Sequence, residues 1–191
     1  MQSLTVDFNS IIDLTDEQFY QLCQKNQNLR FERNSTGEII IMPPVGGESS
    51  NRNAGLTAQL WIWNQKYNLG VVFDASGGFK LPNGADRSPD ACWVKLDKWN
   101  NLTSEQKTKF LPIAPDFLIE LLSPSDSLKK TQEKMQEYIK NGVRLGWSIN
   151  RKNRQVEVYR VGKEVEVLDN PDSLNGEDVL PGFLLDLEMI W

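Results

Sequence analysis

The segment between Pro115 and Ser123 constrains the fold most. It reads Asp116-Phe117-Leu118-Ile119-Glu120-Leu121-Leu122, apolar at odd and even positions alike. A strand that is apolar on both faces belongs inside a sheet covered from both sides. A polar turn over 123–127 follows it. The next stretch, 128–141, is amphipathic, with Leu128, Met135 and Ile139 on its core side and Gly142 as its stop. A buried central strand followed by a surface helix predicts an α/β domain. One residue interrupts the apolar run. Glu120 sits mid-strand between Ile119 and Leu121. A carboxylate there is costly to desolvate unless a metal, a proton or a partner charge compensates it.

The rest of the chain fits the same class. Thr15 followed by Asp16 and Glu17 predicts a helix through about Lys25. Glu38 to Met42 reads as a strand stopped by Pro43-Pro44. A loop over 45–50 opens a long helix, with Leu56, Leu60, Trp63 and Tyr67 at helical spacing and Gly70 at its end. A short strand covers 71–74. Asn83-Gly84 predicts a hairpin between 79–81 and 87–94. A short helix capped by Thr103 or Ser104 is expected within 97–110. Strands are expected at 144–150, 156–161 and, as an edge, 164–168, with a basic turn at 150–154. The tail from Leu180 to Trp191 reads as a docking segment. No repeat or linker divides the chain. The expectation is one domain over 1–191, a mixed β-sheet flanked by helices, with its core roughly at 36–161.

The chain contains no histidine. That excludes Ser-His and Cys-His nucleophile pairs, His-ligated zinc and a histidine general base. Cys23 and Cys92 are isolated and read as free thiols of a reducing compartment. No run reaches the length of a membrane span, and the first ten residues lack a basic segment followed by an apolar one. A cytoplasmic protein without a membrane partner is expected. Net charge is −5, which argues against purely electrostatic binding of nucleic acid. The charge is unevenly spread. Residues 129–154 hold eight basic and two acidic side chains, a segment of +6 that leaves −11 for the remainder. A basic face beside acids suits an enzyme that acts on a polyanion; a solvated helix and a charged turn would look the same.

Asp90 lies on a second short apolar run, Pro89-Asp90-Ala91-Cys92-Trp93-Val94. Two acids on apolar strands with a lysine nearby point to a site for Mg²⁺ or Mn²⁺ and to phosphodiester hydrolysis. Alternate positions of a strand share a face, so Glu120 sits with Asp116, Leu118 and Leu122. Asp116 opens the strand and is the weaker candidate. Lys134 lies on the helix that follows, with Lys130 one turn earlier. Either lysine could serve an attacking water or a phosphate, or be merely solvated. Glu48 opens the long helix beside Gly46-Gly47. It is either an acid favoured by the helix dipole or a third carboxylate of the site.

The segments Arg87–Ala91, Pro115–Asp126 and Lys134–Tyr138, with Gly142-Val143 and Trp147, resemble the Uma-type "putative restriction endonuclease" family of the PD-(D/E)XK nuclease superfamily. Pro43-Pro44 to Gly47-Glu48 and Leu180-Pro181-Gly182-Phe183 extend the likeness over nearly the whole chain. The resemblance implies a restriction-endonuclease-like core. It implies that Asp90 is the aspartate of the PD half, Glu120 the acid of the second half, and Glu48 the acid of the first core helix. The usual lysine position, two residues after the second acid, holds Leu122 here. In this family the lysine is read as moved to the following helix, which points to Lys134.

The expectation is therefore a Mg²⁺- or Mn²⁺-dependent endonuclease that cleaves DNA. Asp90 and Glu120 would hold the metal, Glu48 would assist, and Lys134 would serve the water or phosphate. Lys130, Arg151, Lys152 and Arg154 would contact nucleic acid. The alternative is an inactive nuclease-fold module that binds nucleic acid or protein. A homodimer is expected, because cutting both strands of a duplex favours two sites and an edge strand from Glu164 is open.

Overall fold

The computed structural model describes residues 3–8, 11–124 and 126–191. In chain order the strands and helices are β1 (Leu4–Val6), α1 (Asp16–Lys25), β2 (Arg30–Arg33), β3 (Ile39–Met42), α2 (Gly47–Tyr67), β4 (Gly70–Asp74), β5 (Phe79–Lys80), β6 (Asp86–Arg87), β7 (Ala91–Lys95), α3 (Leu96–Asn100), α4 (Ser104–Lys107), β8 (Phe117–Leu121), α5 (Leu128–Lys140), β9 (Leu145–Asn150), β10 (Gln155–Arg160), β11 (Glu166–Asp169), β12 (Ser173–Asn175) and β13 (Leu184–Asp186). The main sheet has the order β11-β10-β9-β8-β7-β4. Only β8 and β9 run parallel, across the α5 crossover. The sheet is mixed and flanked by helices, as expected, and the apolar run lies inside it.

The alternation of β8 divides the core. Phe117, Ile119 and Leu121 join Leu56, Leu60 and Trp63 of α2 and Leu180, Phe183, Leu187 and Ile190 of the tail. Leu118 joins Cys92, Met135 and Tyr138 on the α5 side. The tail therefore docks on the core, as expected of the segment from Leu180 to Trp191. Both cysteines are free. Among the described residues no helix is long and apolar enough to cross a membrane.

Several local expectations change. The long hairpin arm over 87–94 is two strands. The turn at Asn83-Gly84 is present, with Gly84 at φ 91°. However, β6 pairs with β5 and β2 in a second sheet of order β1-β3-β2-β6-β5, whereas β7 pairs with β4 and β8. Pro89 has no N–H to continue a ladder, and the chain changes sheets there. Helix α2 ends at Asn68, which is left-handed at φ 51°, and not at Gly70. Gly70 is a strand residue, where a Cβ would lie 2.2 Å from the Val94 carbonyl and 2.4 Å from Trp93. Helix α4 is capped by Thr103, and α3 precedes it. Leu128 is exposed at the start of α5, and Tyr138 takes the buried place. In the turn over 123–127, the Asp126 N–H donates to the Ser123 carbonyl at 3.0 Å; Ser125 lies outside the described residues.

Candidate active site

The pairing of Ala91 with Ile119 brings Asp90 to the level of Glu120 at the end of β7 and β8. Asp90 is held from two elements. The Leu121 N–H donates to its Oδ2 at 2.8 Å, and Asn53 Nδ2 of α2 donates to its Oδ1 at 2.8 Å. Glu120 Oε1 accepts from Lys134 Nζ at 2.8 Å and from the Tyr138 hydroxyl at 3.0 Å. Lys134 and Tyr138 are one turn apart on α5, so a single helix face presents both. The crossover from β8 through α5 folds that face back over Glu120. The structure thus brings together Asp90, Glu120 and Lys134.

It also brings in Glu32, which the sequence reading missed. Glu32 is buried on β2. Its Oε1 accepts from Lys134 Nζ at 2.9 Å and from the Ser88 N–H at 3.0 Å, and its Oε2 accepts from Arg87 at 3.1 Å. Arg87 also pairs with Glu137 at 2.6 Å. One buried acid therefore positions the lysine and anchors the chain two residues before Asp90. A signal for it existed. The turn Asn34-Ser35-Thr36-Gly37 immediately before the Glu38–Met42 strand implies a partner strand at 30–33.

The electrostatics follow from burial. Desolvation pushes the Glu120 carboxyl up to about 7; Lys134 opposes this, and Asp90 and Glu32 add to it. Burial also raises Asp90, against the Leu121 N–H, Lys134 and Asn53. Burial would raise Glu32 too, but Lys134 and Arg87 outweigh it and hold the group below its usual range. Lys134 is raised, since Glu120 and Glu32 overcome its desolvation.

Four carboxylates (Glu32, Asp90, Glu120, Glu137) are in this cluster with two cations, Lys134 and Arg87. With all four acids ionised the cluster is net negative, even with Arg30 of β2 close enough to Asp90 to oppose its rise. Two polar atoms beside the acids are buried without a partner among the described residues, Asn53 Oδ1 and Ser148 Oγ. Ser148 stands level with Glu120 in the β8–β9 register. A hydrated divalent cation fits this donor set. Mg²⁺ takes one or two protein carboxylates and keeps several waters, which can bond such orphaned groups. No group of three or more acids or thiols with metal-holding geometry exists among the described residues.

The other candidates stand apart. The Glu48 side chain is 79% exposed at the start of α2, 3.4 Å from Arg52 and 3.8 Å from Arg151. Asp116 is at the opposite end of β8, accepting from the Lys95 N–H and from Lys98. Lys130 and Lys152 are exposed, and Arg154 donates to Asn170 at 3.3 Å. Arg151 is mostly buried, with Nε and Nη1 unpartnered. Because β8 and β9 are parallel, the start of α5 and the 150–154 turn lie at the same sheet edge as Asp90 and Glu120.

The fold and site define an α/β core in which a lysine is held between two buried carboxylates. The 1.96 Å crystal structure of "a putative nuclease belonging to DUF820 from Anabaena variabilis ATCC 29413" superposes on the chain with a TM-score of 0.75, at 21% identity, over 93% of this chain and 97% of that one. That likeness shows the fold. Residues 16–188 match the Uma2 family, described as "Putative restriction endonuclease", and the chain belongs to that family. Comparison with curated proteins gives no match.

Proposed function

We propose that the protein is a nuclease that hydrolyses DNA phosphodiester bonds with a Mg²⁺ or Mn²⁺ ion held by Asp90 and Glu120. The observation that carries this reading is Lys134 Nζ at 2.8 Å from Glu120, beside Asp90, in a cluster where carboxylates outnumber cations. When bound, such an ion stabilises negative charge on the phosphate and makes a coordinated water more acidic. Lys134, between two carboxylates, keeps its proton and acts as a fixed cation. It orients a water or a non-bridging phosphate oxygen. Tyr138 and Asn53 fix the two acids in place. Glu48 contributes at most through water, and Lys130, Arg151, Lys152 and Arg154 supply contacts to the phosphate backbone along the same edge. Cutting both strands of a duplex calls for two centres, and β11, paired only with β10 among the described strands, offers an edge to a second copy.

A binding-only module is the second reading. Leu122 occupies the usual lysine position, and Lys134 is engaged by both Glu120 and Glu32. Plasmid nicking with Mg²⁺ and with Mn²⁺, wild type against Glu120→Gln, separates the two. The nuclease reading expects metal-dependent nicking that falls at least about 10²-fold in the variant. Equal nicking by both proteins would remove Glu120 from the site. DNA binding by a folded wild type that never nicks favours the module.

A further inference from the structure

Helix α2 has a second apolar face, turned outward. Leu56, Leu60 and Trp63 enter the core, whereas Trp61 is 52% and Ile62 64% exposed. That outer face and the start of β2 enclose a groove of about 910 Å³, with Phe31 and Arg30 on the opposite wall. Two lining residues connect the groove to the carboxylate cluster. Asn53, which lines the groove, is the residue that donates to Asp90. Ser88, also in the lining, is the residue whose N–H is anchored by Glu32. From Asn53 to Ile62 the helix rises about 14 Å.

We infer that this groove binds unpaired nucleotides flanking the scissile phosphate, with a base stacked on Trp61. The inference rests on the nuclease reading and names its substrate class. A strand whose phosphate lies at Asp90 and Glu120 enters the groove directly, because the two share Asn53. The groove offers what an unpaired base needs, an exposed indole face within an apolar wall and a few donors for polar edges. Arg30 supplies a guanidinium, anchored through its bond to the Ala75 carbonyl; Asn53 and Ser88 supply an amide and a hydroxyl. A duplex keeps its bases stacked inside and cannot present their faces to Trp61. Stacking of a base on an aromatic side chain tolerates any sequence, which accords with a chain that shows no motif for base readout.

The test uses full-length Glu120→Gln protein with Mn²⁺, so that nothing is cut. Fluorescence anisotropy compares oligodeoxythymidylate with a blunt duplex of equal length. The expected result is tighter binding of the single strand, a loss of about tenfold in that affinity with Trp61→Ala, and retention with Trp61→Phe. Equal affinity for the two DNAs, or a single-strand affinity untouched by Trp61→Ala, overturns the inference. So does sedimentation showing that Trp61→Ala turns a dimer into a monomer while single-strand affinity is unchanged, since a second copy then covers the groove. Wild-type cleavage of the same oligodeoxythymidylate keeps the two readings apart. If that cleavage is metal-dependent and Trp61→Ala leaves single-strand affinity unchanged, only the groove assignment fails. If neither DNA is bound nor cut, both fail.

Discussion

Two ion networks lie back to back on the second sheet, and they differ in their balance of charge. Successive residues Glu32 and Arg33 of β2 point to opposite faces, as do Asp86 and Arg87 of β6. On one face Arg33 pairs with Asp86 at 2.7 Å and with Asp16 at 2.5 Å, and Lys80 reaches both acids. Two cations meet two carboxylates. Burial raises Asp86 despite Arg33 and Lys80, while the Lys80 hydrogen bond is the largest influence on Asp16 and lowers it. On the other face Arg87 and Lys134 meet Glu32, Glu137, Glu120 and the neighbouring Asp90. The first network closes on itself and ties α1 to the sheet. The second leaves more carboxylates than cations around Lys134. A buried ion pair is weak support for stability in itself, because desolvation offsets much of the attraction. An unbalanced one is weaker support still.

The largest expected effect falls on the balanced network. Arg33→Met leaves Asp86 buried and unpaired, and should cost about 3–5 kcal/mol in chemical denaturation. Nicking per folded molecule should persist, because Arg33 touches nothing in the centre. Loss of nicking in a folded Arg33→Met protein would break the contrast between the networks. Next comes Lys134→Met, which removes the one cation touching Glu120. Cleavage should fall about 10²–10³-fold, with the loss in kcat more than in KM. A purely structural lysine would instead lower stability and spare turnover of the folded fraction.

The smallest effect sharpens the comparison. Glu32→Gln keeps a hydrogen-bonding side chain but removes the charge that positions Lys134, and should lower cleavage about 10–100-fold. It also has a pH signature. Glu32 is held below its unfolded value, so its contribution to stability is present above the ordinary glutamate value of 4.5 and is lost as pH falls through the folded value. The wild type should therefore lose stability faster than Glu32→Gln below pH 4.5. Parallel acid limbs for the two proteins would mean that Glu32 carries no such linkage.

How much of this was legible differs between the same regions. The apolar core of the main sheet was readable because β8 is apolar at every position but one, and α2 repeats its apolar residues at helical spacing. Asp90 and Glu120 were readable as acids set in such runs. The second sheet was readable only in part: the strands over 38–42 and 79–81 were expected, and β2 was not. Its β2 reads Arg-Phe-Glu-Arg, and its buried residues are stabilised by partners far away in sequence, so a polarity pattern assigns them to the surface. Lys134 was one of two candidate lysines from its place on the helix after β8, and the family resemblance singled it out; helix periodicity adds that Lys134 and Tyr138 share a face. The groove was hidden because exposed Trp61 and Ile62 sit among the buried positions of the same helix, and only the packing separates them.

The central claim is that Asp90 and Glu120 hold a divalent cation whose charge closes the deficit of the second network. Calorimetric titration of Mn²⁺ tests it most directly, with wild type, Glu120→Gln and Arg33→Met compared under one condition. The account predicts saturable binding by the wild type, the same binding by folded Arg33→Met, and none by Glu120→Gln. Mn²⁺ binding by Glu120→Gln with wild-type affinity would contradict it.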